Sequence, residues 1–177
     1  MYNINDQVVH KVHGAGIVTG LEERTVDGEM MKFLRVHLTL QEADILIPVQ
    51  NGEPAGLRRA IDEEGIKVLE EILAGKRVVL DKDNEGNPPD AMKLIATNDP
   101  FPIAQAIRAL TDESKSEDFE KEKKDLLSDA RMKLAGELML AKDMTKAAAL
   151  SFINRSIHGT AKFMKAARKR RKKIARK

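Results

Sequence analysis

Val8-Val9-His10-Lys11-Val12-His13-Gly14-Ala15-Gly16-Ile17-Val18-Thr19-Gly20-Leu21 is the stretch whose reading decides the fold. A β-branched run meets a Gly-x-Gly bend, and a second β-branched run leaves it. Val and Ile favour extended backbone. Gly14 and Gly16 can take positive φ at little cost, so the chain can turn sharply between the runs. The stretch reads as two strands around a tight corner, opening a small twisted sheet. A phosphate-cradling loop is the other reading of paired glycines. It needs a helix directly after them, and no helical pattern follows Gly16.

Outward from this corner, residues 1–58 read as all-β. Val8–Val12 is the first strand and Ile17–Val26 the second. Asp27-Gly28 is a hairpin signal between apolar-containing runs. Phe33–Leu40 alternates, with Leu34, Val36 and Leu38 on one face and Arg35, His37 and Thr39 on the other. Ile45–Val49 is a short apolar strand in which Pro48 marks an end or an edge, because proline cannot donate to a ladder. Asn51–Pro54 reads as a loop. The expected architecture is a small, strongly bent barrel of Tudor or SH3 type with an edge able to pair with a partner strand.

From Ala60 the period becomes helical. Asp62 can cap a helix carrying Ile66, Leu69, Ile72 and Leu73 and ending near Gly75. Val78–Leu80 reads as a short extended piece and Asp81–Asp90 as a polar loop. Ala91–Ala96 is a short helix or helical turn. Asn98-Asp99-Pro100 supplies cap residues for a helix with Ile103, Ala106, Ile107 and Leu110 on one face. Lys121–Lys142 is the longest helix, and Lys146–Ile157 is another. The fold class expected is α+β: residues 1–58 a small β barrel, residues 59–157 a helical bundle, residues 158–177 a basic tail.

Composition narrows the function. Among 177 residues there is no Cys or Trp and one Tyr, so disulfides, thiolate catalysis and thiolate zinc sites are excluded. The four His lack ligand spacing with carboxylates, and no metal or cofactor is expected. Glu63, Glu64, Glu70 and Glu71 crowd one another without a basic partner, and no Gly-x-Ser-x-Gly elbow exists, so the chain does not read as an enzyme. No apolar run is long enough for a membrane span, and no secretory pattern opens the chain, which reads as cytoplasmic. The net charge of +3 hides a polarity. Residues 144–177 carry 12 Lys and Arg and no acid, whereas residues 1–143 carry 19 basic against 28 acidic residues. A cationic end of this density attracts a polyanion.

Four segments in register carry a resemblance: DQVVHKVHGAGIVTGLEERTVDGE (6–29), ILIPVQNGEPAGLRRAI (45–61), NDPFPIAQAIRAL (98–110) and DARMKLAGELMLAKD (129–143). Together the chain resembles the CarD/CdnL family of bacterial RNA polymerase-binding regulators over residues 3–155. The resemblance implies a Tudor-like first domain docking on the polymerase β subunit. By position, Arg24 and Thr25 fall at that contact, with Leu46, Ile47 and Pro48 beside it. Leu46 stands where the family is often basic. It also implies a helical second domain touching promoter DNA through a Trp wedge and a basic cluster. Here Asn84, Gly86 and Asn87 occupy those places in an acidic loop, which repels phosphate. Lys82 and Lys93 flank it.

The cationic end offers a different DNA contact: Lys162, Lys165, Arg168, Lys169, Arg170, Arg171, Lys172 and Lys173. Such contacts position a protein on DNA without reading sequence. The expected function is a transcription regulator, monomeric and nucleoid-associated, that docks on RNA polymerase and modulates open-complex stability. The competing expectation is an architectural DNA or RNA binder independent of polymerase.

Overall fold

A computed structural model describes residues 2–50, 52–80, 89–116 and 118–159. The fold is α+β, an N-terminal antiparallel sheet followed by helices. Two compact units divide the chain. The first comprises Met1–Glu63 with Met132–Ala149, the second Glu64–Arg131 with Leu150–Lys177.

In the first unit the strands among the described residues are β1 (Gln7–His10), β2 (Gly14–Val26), β3 (Glu29–Leu38), β4 (Ala43–Gln50), β5 (Glu53–Pro54) and β6 (Leu57–Arg59). Their order is β5-β4-β3-β2-β1-β6. The two ends of that order, β5 and β6, are separated in sequence by Ala55 and Gly56 alone, so the sheet must bend back on itself.

The corner at Lys11–His13 ends β1 at His10, two residues earlier than expected. The imidazole Nδ1 of His10 accepts from the backbone N–H of Val12 and of His13, both at 3.2 Å, which folds the chain over before Val12 can pair. Gly14 does take positive φ, at 87°. Gly16 does not, and its role is a different one. A Cβ there would lie 2.5 Å from the His37 carbonyl oxygen, so Gly16 permits β2 to approach β3 closely. Asp27 and Gly28 both have positive φ and form the two-residue turn closed by Val26 opposite Glu29. Asn51–Pro54, read as a loop, includes β5.

Alternation puts Val8, Val18, Leu34, Val36, Leu38 and Ile47 in one core cluster. The opposite face of the β1–β2 corner carries Val9 and Ala15, packed with Leu140. Leu140 belongs to α4 (Lys121–Ala141), so the C-terminal half of that helix completes the first unit. A Cβ on Gly136 would stand 2.9 Å from Leu40 Cδ1, so this glycine lets the helix lie close to the strands. Beside it Glu137 is only 2% exposed. Arg58 Nη1 and Nη2 donate to its two carboxylate oxygens at 2.6 and 2.7 Å, and the Ile61 N–H donates at 3.0 Å. The bidentate pair leaves neither charge stranded in the interior.

In the second unit α1 (Glu63–Leu73) buries Ile66, Leu69, Ile72 and Leu73, and Gly75 ends it at positive φ. Asp90 caps α2 (Ala91–Ala96) by accepting from Met92 N–H. Asp99 caps α3 (Pro100–Glu113) through Phe101 N–H, with Pro100 at the first turn. Residues 146–159 are helical as well and are labelled α5. Val78–Leu80 is not a strand. The Gln105 side-chain amide takes the place of a strand partner, accepting from Val79 and Leu80 N–H and donating to the Leu80 carbonyl. Arg108 Nη1 donates to the Leu73 carbonyl in the last turn of α1, where a cation is favoured, and to the Ile157 carbonyl of α5.

Candidate functional site

The residues singled out on the sheet divide between its two faces. Phe33, Arg35 and His37 of β3 point away from the core that Leu34, Val36 and Leu38 fill. Cross-strand register sets their neighbours. Arg35 faces Gly20 on β2 and Leu46 on β4; Phe33 faces Glu22 and Pro48; Arg24 faces Met31. These rows place Glu22, Arg24, Phe33, Arg35, Leu46 and Pro48 on one outer face of three adjacent strands. A register shift at Thr19 sets this parity on β2.

Ile47 pairs with Leu34 and is 3% exposed, so it is a core residue and not a surface contact. Thr25 pairs with Met30, one step out of phase with Arg24, and its hydroxyl meets Met30 Sδ on the other face. Of the five residues picked, the sheet gathers Arg24, Leu46 and Pro48 and turns Thr25 and Ile47 away.

Glu22 organises the charge on this face. Arg24 Nε and Nη2 donate to its Oε2 at 3.1 and 2.9 Å, and Arg35 Nη2 pairs with its Oε1. The two guanidiniums remain about half exposed, at 56% and 44% of their side-chain surface, so both still face solvent. Farther along β3, His37 Nδ1 lies 2.7 Å from Asp44 Oδ1. Arg35 is the residue that position matching missed. Leu46 lacks a charge of its own, but its cross-strand neighbour supplies one. The alternation of Phe33–Leu40 had already put Arg35 on the polar side, and only the register with β4 was missing.

β4 is also open along its outer side. β5 pairs only with Val49 and Gln50, and Ala55 N–H reaches the Pro48 carbonyl at 3.3 Å. Among the described residues no strand lies outside Ala43–Ile47. Pro48 therefore sits within the strand at its edge, where its missing N–H disrupts no ladder. An exposed edge beside a half-apolar face with two half-exposed guanidiniums can accept a strand from a partner, with backbone bonds supplying affinity and the arginines selecting acidic neighbours.

Of the residues matched to nucleic acid, Lys93 lies exposed on the last turn of α2. Lys82, Lys162, Lys165, Arg168, Lys169, Arg170, Arg171, Lys172 and Lys173 lie outside the described residues, as do Asn84, Gly86 and Asn87. Among the described residues no group of three or more His, Cys, Asp or Glu could hold a metal ion. No helix among them is long and apolar enough to cross a membrane.

Residues 2–61 match the family model described as the CarD-like/TRCF RID domain, and residues 69–154 match that of the CarD C-terminal domain. The two lie in succession and together span more than four fifths of the chain. A relative in Bacillus subtilis (strain 168), named "Putative transcription factor YdeB", is 24% identical over 155 residues, covering 86% of this chain and 99% of that protein. The sheet with its hairpin and open edge falls within the first match, and the helices from α1 onward fall within or across the second. The chain belongs to the CarD-like family of transcription regulators.

Proposed function

We propose that this regulator docks on the RNA polymerase β subunit through the outer face of β2–β4 and modulates the stability of the open promoter complex. The observation that carries the reading is the coincidence of Arg24, Arg35, Leu46 and Pro48 on one face with the unpaired Ala43–Ile47 edge. The edge adds a partner strand, and the two guanidiniums meet acidic groups beside it. No covalent chemistry is involved. Residues 59–157 act as a helical domain, and residues 158–177 as a basic tail that contacts promoter DNA.

Residues 162–173 then grip the phosphate backbone without reading sequence, in place of an aromatic wedge. Docking on polymerase raises the local concentration of this weak DNA binder, so the two contacts reinforce each other. The test is capture of purified polymerase β subunit by the full chain, which includes the residues 132–149 that complete the first unit. Arg24→Glu should weaken capture, and an unchanged affinity would sink the docking face. For the tail, six to eight neutralised phosphates give a slope of log K against log salt of about −5 to −7, which deletion of 161–177 should flatten. A slope unaffected by the deletion would remove the tail from the mechanism.

A further inference from the structure

The second unit carries a groove of about 630 Å³ between α2, α3 and the start of α4. Met92, Ala109, Leu110 and Leu126 give it an apolar floor. Met92 is 66% exposed, the most open large apolar side chain of the described residues in this unit. Along one rim Glu122, Asp125 and Asp129 stand at helical spacing on one side of α4. All three are exposed, and among the described residues none forms an ion pair. Lys123, the cation lining the groove, is taken by Glu113 at 2.8 Å. The groove is thus apolar inside and acidic at its edge. It repels phosphate and suits a cationic segment with a few apolar side chains.

We infer that this groove is the docking site of the chain's own C-terminal segment, residues 160–177. That segment carries ten Lys and Arg from residue 162 onward and no acid, with Phe163, Met164 and Ile174 among them. Its charge complements the rim, and its apolar residues match the floor. Length permits the contact. Eighteen residues leaving Gly159 span up to about 60 Å when extended. A unit of roughly one hundred residues has a radius of gyration near only ~13 Å. Tethering supplies an effective concentration on the order of millimolar, so an intrinsically weak site is still filled.

The consequence for regulation rests on the tail–DNA contact proposed above. Cations held in the groove are withheld from phosphate, so the groove and promoter DNA compete for the same segment. If docking occupies ~90% of molecules, the competent fraction is about a tenth and free-DNA affinity is lowered about tenfold.

The chain has no cysteine, so Lys177→Cys gives one attachment point for a nitroxide on the full-length protein. Amide signals of Met92, Leu126 and Asp129 should broaden selectively. The broadening should disappear in the combined variant Glu122→Gln, Asp125→Asn, Asp129→Asn. In the otherwise unaltered labelled chain it should disappear at 1 M salt, where the Debye length shrinks from ~10 Å to about 3 Å. Broadening that is absent, centred on another face, or indifferent to both treatments would overturn the assignment. Broadening found only between labelled and isotope-enriched molecules in a mixed sample would assign the groove to a second copy instead, and overturn it too.

Duplex DNA affinity should rise about tenfold in the groove variant. It should stay within twofold of the unaltered chain in a control neutralising Glu63, Glu64 and Glu70 on α1. An equal rise in both would mean a general charge effect and no release of the segment. The nitroxide measurement contains no DNA. Loss of the tail–DNA contact alone therefore leaves its result standing.

Discussion

The outer face of β2–β4 and the groove between α2, α3 and α4 are built alike, the first edged by two half-exposed arginines and the second by three exposed carboxylates. Each sets a few half-exposed apolar side chains inside a charged rim. On the sheet Phe33, Leu46 and Pro48 lie beside Arg24 and Arg35, with Glu22 between the arginines. On the helices Met92 and Leu126 lie beside Glu122, Asp125 and Asp129, with Lys123 already paired. The sheet also offers unpaired backbone along β4, whereas a helix keeps its backbone bonds to itself. The contrast teaches that rim charge and backbone availability, more than apolar area, decide what each surface can hold. The strand face can take an acidic protein strand, and the groove can take a cationic segment.

The harshest way to break the contrast is to cut the ion pair that ties the sheet of the first unit to α4. Arg58→Met leaves the Glu137 carboxylate buried without its guanidinium, which costs about 3–5 kcal/mol. Thermal unfolding at neutral pH should show it as a fall in Tm, and a wild-type Tm would mean the pair is relieved by water. Inverting the sign of the strand face comes next. Arg35→Glu sets a second carboxylate beside Glu22, and like charges across an interface cost several kcal/mol. Polymerase β capture should weaken by at least ~30-fold, about 2 kcal/mol. Equal binding by Arg35→Glu and the unaltered chain would detach Arg35 from the contact.

A smaller effect comes from Gly16→Ala, which drives a methyl against the His37 carbonyl and separates β2 from β3. Overpacking of this kind costs about 1–3 kcal/mol in chemical denaturation. The mildest test concerns the corner. Burial, and then the adjacent His13 ring, hold His10 below the ordinary imidazole value. The unfolded chain therefore binds the proton more readily than the folded one. Stability from this group is complete above about pH 6.5 and drains away as pH falls through the window below it. The geometry agrees, since a protonated Nδ1 can no longer accept from Val12 and His13. His10→Gln should flatten that part of the stability–pH curve, and an unaltered curve would move the dependence elsewhere.

Local chemistry was legible in the residues. Asp27-Gly28 announced its hairpin, Asp99-Pro100 its helix start, and Phe33–Leu40 its two faces, because each depends on neighbours in the chain. What stayed hidden depends on register or on distant partners. Ile47 looked like a surface residue until its pairing with Leu34 put it in the core. Gly16 resembled a second turn glycine, yet what it accommodates is the carbonyl of His37, twenty-one residues away. The Gln105 amide that satisfies Val79 and Leu80 has no local signature at all. Glu137 left a faint trace: one acid inside the small and apolar run from Leu134 to Ala141. Its guanidinium partner stands 79 residues earlier.

The seam inside α4 has a consequence for how the molecule is made. The first unit draws on Met132–Ala149, more than sixty residues after its last strand. At ~5–20 residues per second, translation leaves the sheet several seconds without Leu140 against Val9 and Ala15, and without a carboxylate for Arg58. During that interval the nascent chain holds a half-finished sheet with an open β4 margin. Emergence of the last third of the chain covers Val9 and Ala15 and pairs Arg58, while the β4 margin stays open for a partner.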